Sequence, residues 1–288
     1  MSSQAVTTFA ELLARVPDSI EPGHPVRVEI PADWGQGRSS FGGALTGLGL
    51  TALEAVVAQQ PSESARRCRS MMVSFVGPVA TSAVEPKEPA KLDARVLRHG
   101  RSATHASATL SQAGSPRCVI MASFASDRPS AVEVEAPPRP ELAGPEGLIS
   151  LPYLPGLTPE FTRHFELRWA SGGPPGSGLT ETGFTGWVRF REQHPPGEAG
   201  LGLAWIAALV DAWPTPALQM LRKPAIASSL TWAIDFVGHD PAAASDEFWA
   251  FAVDTDRAAG GWAHTRARLW SPGGVLVASS MQTVAVFA

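Results

Sequence analysis

FGGALTGLGLTALEAVVAQ, residues 41–59, is the stretch from which the fold can be read. Its length and its alanine and leucine content suit a helix, yet Gly43, Gly47 and Gly49 sit inside it. A glycine in a helix interior costs roughly 1 kcal/mol relative to alanine. Three of them point to a helix whose backbone is approached closely by a neighbour or a ligand. A related stretch, GLGLAWIAALVDAW, occupies residues 200–213. There Ala204, Ala208 and Asp211 fall at i, i+4 and i+7, with Ala207 beside them, so a second helix also offers a small-residue face for close packing on a sheet.

Outward from each helix the period changes from 3.6 to 2. Alternating segments follow at roughly 66–78, 90–99, 102–112 and 117–126, and again at roughly 226–238, 247–256, 262–270 and 274–287. Strand-like segments also precede the helices, at 25–30 in the first half and at 161–170 and 182–191 in the second. The halves share residues as well as grammar. Phe75-Val76-Gly77 recurs as Phe236-Val237-Gly238, His105 and Leu110 as His264 and Leu269, Ser115-Pro116 as Ser271-Pro272, and Ala122-Ser123 as Ala278-Ser279. The offsets, 156 to 161 residues, drift only slightly and keep their order along the chain. The implied unit is α+β: one long helix and an antiparallel meander that bury each other's apolar faces. Residues 127–158, with APPRPELAGPEG, read as a linker between a first unit at 1–126 and a second at 159–288. The two units are expected to pack sheet to sheet.

The order FGG plus helix, then SFVGPV, RVLRHGRS and VIMASF, resembles the acyl-CoA thioesterase II family, as do ALVDAWPT, ASSLTWAIDF and VASSMQT in the second half. The likeness runs from about residue 35 to 287. It implies a double hotdog, two tandem units in which a curved sheet wraps a helix. It departs from the best-studied members at Arg69-Ser70-Met71, where they carry His-Ser-Phe, and at Thr231-Trp232, which replaces Asp-His. The resemblance implies an acyl-CoA thioesterase in lipid metabolism, with acyl-CoA as substrate, coenzyme A as part of that substrate, and no separate cofactor.

The same resemblance places the water-holding Asp, Ser and Gln of the family on Asp211, Ser229 and Gln282. Each has its own signature. Asp211 ends an apolar helix, where the dipole disfavours a carboxylate, so a stabilising role is hard to supply; the bland alternative is an exposed helix-end residue. Strict alternation sets Leu230, Trp232, Ile234 and Phe236 on one strand face and Ser229, Thr231, Ala233 and Asp235 on the other. A one-residue slip would exchange Ser228 for Ser229. Gln282 shares a face with Ala278, Ser280 and Val284, where an unbonded amide would cost several kcal/mol. Gly-rich helix starts could supply oxyanion donors, from Gly42 and Gly43 or from Gly200 and Gly202. The first half has lost its own set: Leu48 to Leu53 contain no carboxylate, and Ala125 stands near the place of Gln282, so one active site per chain is the most to expect.

Other chemistries find less in the sequence. There is no GxSxG nucleophile elbow and no HExxH, and the seven histidines are scattered, so no metal site is expected. His105 and His264 recur at one strand position in both halves and read as structural. SGGPPGSGLT at 171–180 lacks the lysine of a phosphate-binding loop, with Leu179 in its place, and reads as a surface loop. Of the nine tryptophans, Trp232, Trp249, Trp262 and Trp270 fall in or near strands and are expected in the sheet core or an interface. The two cysteines, Cys68 and Cys118, form no CxxC pair and are expected as buried thiols. With 44% hydrophobic residues, a net charge of −4 and no basic patch, the chain suits a folded protein that binds neither nucleic acid nor membrane. The N-terminus lacks a signal peptide's basic start, so a cytoplasmic protein is expected, with homo-oligomerisation left open. Two competing readings remain: a non-catalytic acyl-binding protein, and an enoyl-CoA hydratase, which would need an Asp/His pair that the helix-adjacent segments lack.

Overall fold

The computed structural model describes residues 6–62, 64–197 and 200–288. Among the described residues there are three α-helices: α1 (Phe9–Leu13), α2 (Gly42–Ala58) and α3 (Leu203–Asp211). The first half holds β1 (Val26–Val28), β2 (Gly35–Gln36), β3 (Ser39–Ser40), β4 (Arg67–Phe75), β5 (Ala90–His99), β6 (Thr104–Gln112) and β7 (Ser115–Ala125). The second holds β8 (Ile149–Ser150), β9 (Phe165–Ser171), β10 (Gly183–Phe190), β11 (Ile226–Phe236), β12 (Trp249–Ala259), β13 (Trp262–Trp270) and β14 (Leu276–Phe287). Every segment expected from periodicity is there, with ends shifted by no more than four residues. The short elements α1, β2, β3 and β8 carry too little pattern to be anticipated.

The expectation of sheet-to-sheet packing is corrected. Apart from the β2–β3 hairpin, the strands form one antiparallel 12-stranded sheet in the order β1-β5-β6-β7-β4-β11-β14-β13-β12-β10-β9-β8. The halves meet edge to edge at β4 and β11, with Val73 opposite Trp232 and Met72 opposite Ala233. Left apart, each of these strands would present a row of unpaired N–H and C=O groups, and joining them satisfies both rows at once.

Both helices lie against this sheet and against each other, and the glycines of α2 serve three separate approaches. A Cβ on Gly43 would stand 2.9 Å from Ala208 Cα of α3. On Gly49 it would meet Ile120 Cδ1 of β7 at 2.2 Å, and on Gly47 the Phe9 ring of α1 at 2.8 Å. The small face of α3 therefore serves the helix–helix crossing as well. α1 opens with a capping box between Thr8 and Glu11. Its remaining N–H groups are met from the other half: the Glu192 carboxylate accepts from Phe9 N at 2.6 Å and Ala10 N at 3.3 Å.

Aromatic rings stitch the halves together. Phe9 packs on Phe190 and Trp205 with centroids 5.3 and 4.9 Å away, and Phe41 stacks on Phe161 at 4.1 Å. Trp34 is wholly buried and stacks on His164 at 3.8 Å. Burial pushes the His164 imidazole down to about 4, so it is neutral at pH 7. The linker seals the outer face of the second half: Trp187 Nε1 donates to Ala143 O at 2.8 Å and Trp270 Nε1 to Pro137 O at 3.1 Å. Trp232, Trp249 and Trp270 are buried as expected, but Trp262, at the start of β13, is 44% exposed.

The recurring histidines occupy matching places. His105 Nδ1 lies 3.0 Å from Ser123 Oγ, and His264 Nδ1 lies 3.3 Å from Thr283 Oγ1, each pair directly opposite in register. The 171–180 loop is held by Gln219, which accepts from Gly173 N and donates to Glu181 O and Gly183 O. Both cysteines are buried, and burial raises both thiols, Cys118 to about 12. Among the described residues no helix is long and apolar enough to cross a membrane.

Candidate active site

Asp211 is the last residue of α3. Its carboxylate does not run out into solvent as a helix-end residue could. Gln282, on β14, donates from Nε2 to Asp211 Oδ1 at 2.9 Å. The other oxygen faces the start of α2: a Cβ built on Gly42 would stand 2.7 Å from Asp211 Oδ2 and 3.1 Å from the Phe75 ring. Desolvation pushes the Asp211 carboxyl up to about 7, against the pull of the Gln282 amide and the Gly43 backbone N–H, both of which favour the charged form. A carboxyl that titrates near neutrality at a helix end suits proton transfer more than structural support.

Gln282 is aimed by the sheet. It pairs with Trp232 of β11, and buried Ser280 and Val284 flank it on the same inner face. Its amide satisfies the polar-group requirement that the sequence raised by bonding to Asp211, not to backbone. Ser229 reaches this inner face by a route that alternation alone misplaces. The β11–β14 register shifts between Ser229 and Thr231, so Leu230 is an extra residue and the faces exchange across it. Ser229 therefore stands opposite buried Val284, on the side of Trp232, while Ser228 is exposed. The predicted grouping of Ser229 with Thr231, Ala233 and Asp235 is corrected by this bulge. Among the described residues Ser229 makes no hydrogen bond to Asp211 or Gln282; the structure brings Asp211 and Gln282 into contact and places Ser229 on their face of the sheet.

The four candidate oxyanion glycines separate. Gly42 and Gly43 open α2 beside Asp211; the N-cap residue Phe41 supplies no side-chain bond, and the Gly43 N–H is directed at the Asp211 carboxylate, which leaves the Gly42 N–H as the donor of this pair. Gly200 and Gly202 lie at the opposite end of the helix pair, on a cleft of about 550 Å³ that does not include Asp211. One further group was not singled out from the sequence for this role. Trp232, directly across from Gln282, is 1% exposed and its indole N–H has no partner among the described residues. A buried donor left in this state costs about 1–3 kcal/mol. The signal was available, since a tryptophan stands where the resemblance expects histidine.

Comparison with known proteins agrees with this architecture. Solved structures of similar fold include a hotdog-fold protein from Alicyclobacillus acidocaldarius (TM-score 0.77, 20% identity, covering 97% of this chain and 98% of that one). An acyl-CoA thioesterase II from Mycobacterium marinum matches with a TM-score of 0.71 and 19% identity, over 97% of this chain and 98% of that one. The tesB protein of Mycobacterium avium subspecies paratuberculosis matches with a TM-score of 0.73 and 18% identity, over 98% of this chain and 100% of that one. At these identities the likeness establishes the hotdog fold. No curated protein matches the sequence. The acyl-CoA thioesterase N-terminal domain family matches residues 30–125, and the acyl-CoA thioesterase C-terminal domain family matches residues 135–286. With both domains matched in order over most of its length, the chain belongs to the acyl-CoA thioesterase family.

Proposed function

We propose that the chain is a double hotdog, with units at 1–126 and 159–288 joined by 127–158, and that it hydrolyses a fatty or related acyl-CoA to the free acid and CoA. The observation that carries this reading is the Gln282–Asp211 hydrogen bond at 2.9 Å, which joins a helix end to a distant strand at a carboxyl held near neutrality. Asp211 is the general base, and Gln282 and Ser229 position the attacking water. Oδ1 is occupied by Gln282, so Oδ2 accepts the water proton. The hydroxide equivalent attacks the thioester carbonyl, whose oxygen takes up charge beside the first turn of α2, with the Gly42 N–H as donor. The C–S bond then breaks, and the proton held by Asp211 is released to the CoA thiolate. A thiolate leaves readily, so no strong acid is required.

The direct test is hydrolysis across a panel of acyl-CoA chain lengths. Turnover of at least one is expected; binding without turnover across the panel would favour the acyl-binding alternative. The pH dependence adds a second test. The base must be ionised, so kcat/KM should be level above about pH 7 and fall roughly tenfold per pH unit below it. A profile flat down to pH 5 would remove Asp211 from the role of base. No metal takes part in this scheme, so dialysis against a strong chelator should leave the rate unchanged; a loss restored by zinc would overturn it.

A further inference from the structure

The Asp211 site lies at one end of the helix pair, and the other end carries a related arrangement. At the first end the start of α2, the aromatic ring of Phe75 and a carboxyl from the end of α3 converge. Phe75 belongs to the Phe-Val-Gly sequence that recurs at Phe236. At the second end, Gly202 and Leu203 at the start of α3, the ring of Phe236 and a carboxyl from the last turns of α2, Glu54, line one cleft of about 550 Å³. Cavities of this size suit a small ligand. Glu54 lies one residue past the stretch in which a first-half carboxylate would be sought. Its side chain is exposed at the cleft. Among the described residues it has no hydrogen-bond or ion-pair partner.

The cleft also has polarity. Val57, Leu203, Ile206, Phe124 and Phe236 form an apolar wall, while Arg66, Arg67 and His239 contribute cationic or protonatable groups to it. Arg66 donates to the neutral oxygens of Gly100, Arg101 and Thr104, so among the described residues its charge has no counter-ion. What the Asp211 site has and this cleft lacks is the amide: the register corrects the expected Ala125 to Ala122, which lies opposite Met71 as Gln282 lies opposite Trp232. We infer that the cleft is a second acyl site, which holds the apolar chain of a fatty acyl group with its anionic head toward Arg66 and does not hydrolyse it. This does not depend on Asp211 being catalytic.

The test is a calorimetric titration with dodecyl-CoA, a thioether that cannot be hydrolysed. Ala58→Trp and Ala65→Trp each place a large side chain on an exposed position of the cleft wall. Each variant should lose one equivalent of dodecyl-CoA per chain relative to wild type, or bind that equivalent at least ~10-fold more weakly, while hydrolysing dodecanoyl-CoA as wild type does. Dodecanoate should compete for the lost equivalent, because the chain is the recognised part. An unchanged stoichiometry in both variants would overturn the inference, as would competition by CoA alone as strong as by dodecyl-CoA. Failure of the catalytic reading would show separately, as absence of turnover in wild type.

Discussion

Asp211→Asn is expected to turn over acyl-CoA about 10²–10⁴-fold more slowly than wild type. Asparagine keeps the shape of the side chain, and its oxygen can still accept from Gln282 Nε2, so the loss would isolate the base. The same substitution should stabilise the folded state at alkaline pH. The folded carboxyl titrates near 7 while its unfolded counterpart does so near 4. Between those values the folded state binds more protons than the unfolded state, so stability falls as pH rises through the window. The cost is complete above about pH 7, and the asparagine variant escapes it, gaining on the order of 1–4 kcal/mol at pH 8 relative to pH 4. Urea denaturation at the two pH values measures this. A variant slow in turnover but no more stable at pH 8 would argue that Asp211 is ionised at low pH; a variant with wild-type turnover would return Asp211 to a structural residue. Gln282→Ala and Ser229→Ala should each cost less and combine non-additively with Asp211→Asn, since they position the water that it activates.

Trp34→Ala is expected to be the most destabilising change at the seam between the halves. The indole is wholly buried, stacks on His164 at 3.8 Å, lies 5.3 Å from the Phe9 ring, and donates to Thr7 O at 3.0 Å. Removing a large aromatic from such a place costs about 3–5 kcal/mol, because the surrounding rings cannot collapse into the space. The cavity would also loosen α1, whose Phe9 leans on the same ring. Thermal unfolding followed by near-ultraviolet dichroism should show a Tm lower by roughly 10 °C. Trp262→Ala is the comparison, and with 44% of that residue exposed it should change stability by no more than about 0.5–1 kcal/mol. Equal effects of the two would mean that the Trp34 cluster is not what holds the halves together.

The long helices and strands were legible because their apolar periods persist over 8 to 17 residues. How the halves join was not. Nothing in the alternation of β4 or β11 distinguishes an edge from a central strand, because pairing is a backbone property and leaves the face pattern unchanged. Asp211 and Gln282 were legible for the opposite reason: each sits where its chemistry is out of keeping with its surroundings, a carboxylate at a helix end and an amide on an apolar face. Ser229 was chosen over Ser228 only through motif spacing, since alternation put it on the face away from Trp232. The bulge at Leu230 that puts it on the inner face has no glycine to announce it. Glu54 escaped notice because its position relative to the start of α2 does not match that of Asp211 relative to the start of α3, and only the folded helix pair shows that the two carboxyls occupy corresponding ends.

The unbroken sheet across β4 and β11 has a genetic consequence. In a symmetric pair of separate identical chains, any substitution appears at both ends of the assembly, so neither end can change alone. Here the two ends are encoded by different codons of one chain. Ala122 could then stand at one end in the place that Gln282 holds at the other without touching it, and the carboxyl of one helix could sit a turn away from its counterpart while Asp211 stayed in place. Covalent continuity of this kind lets one half of a matched assembly be released to a new task while the other keeps the old one.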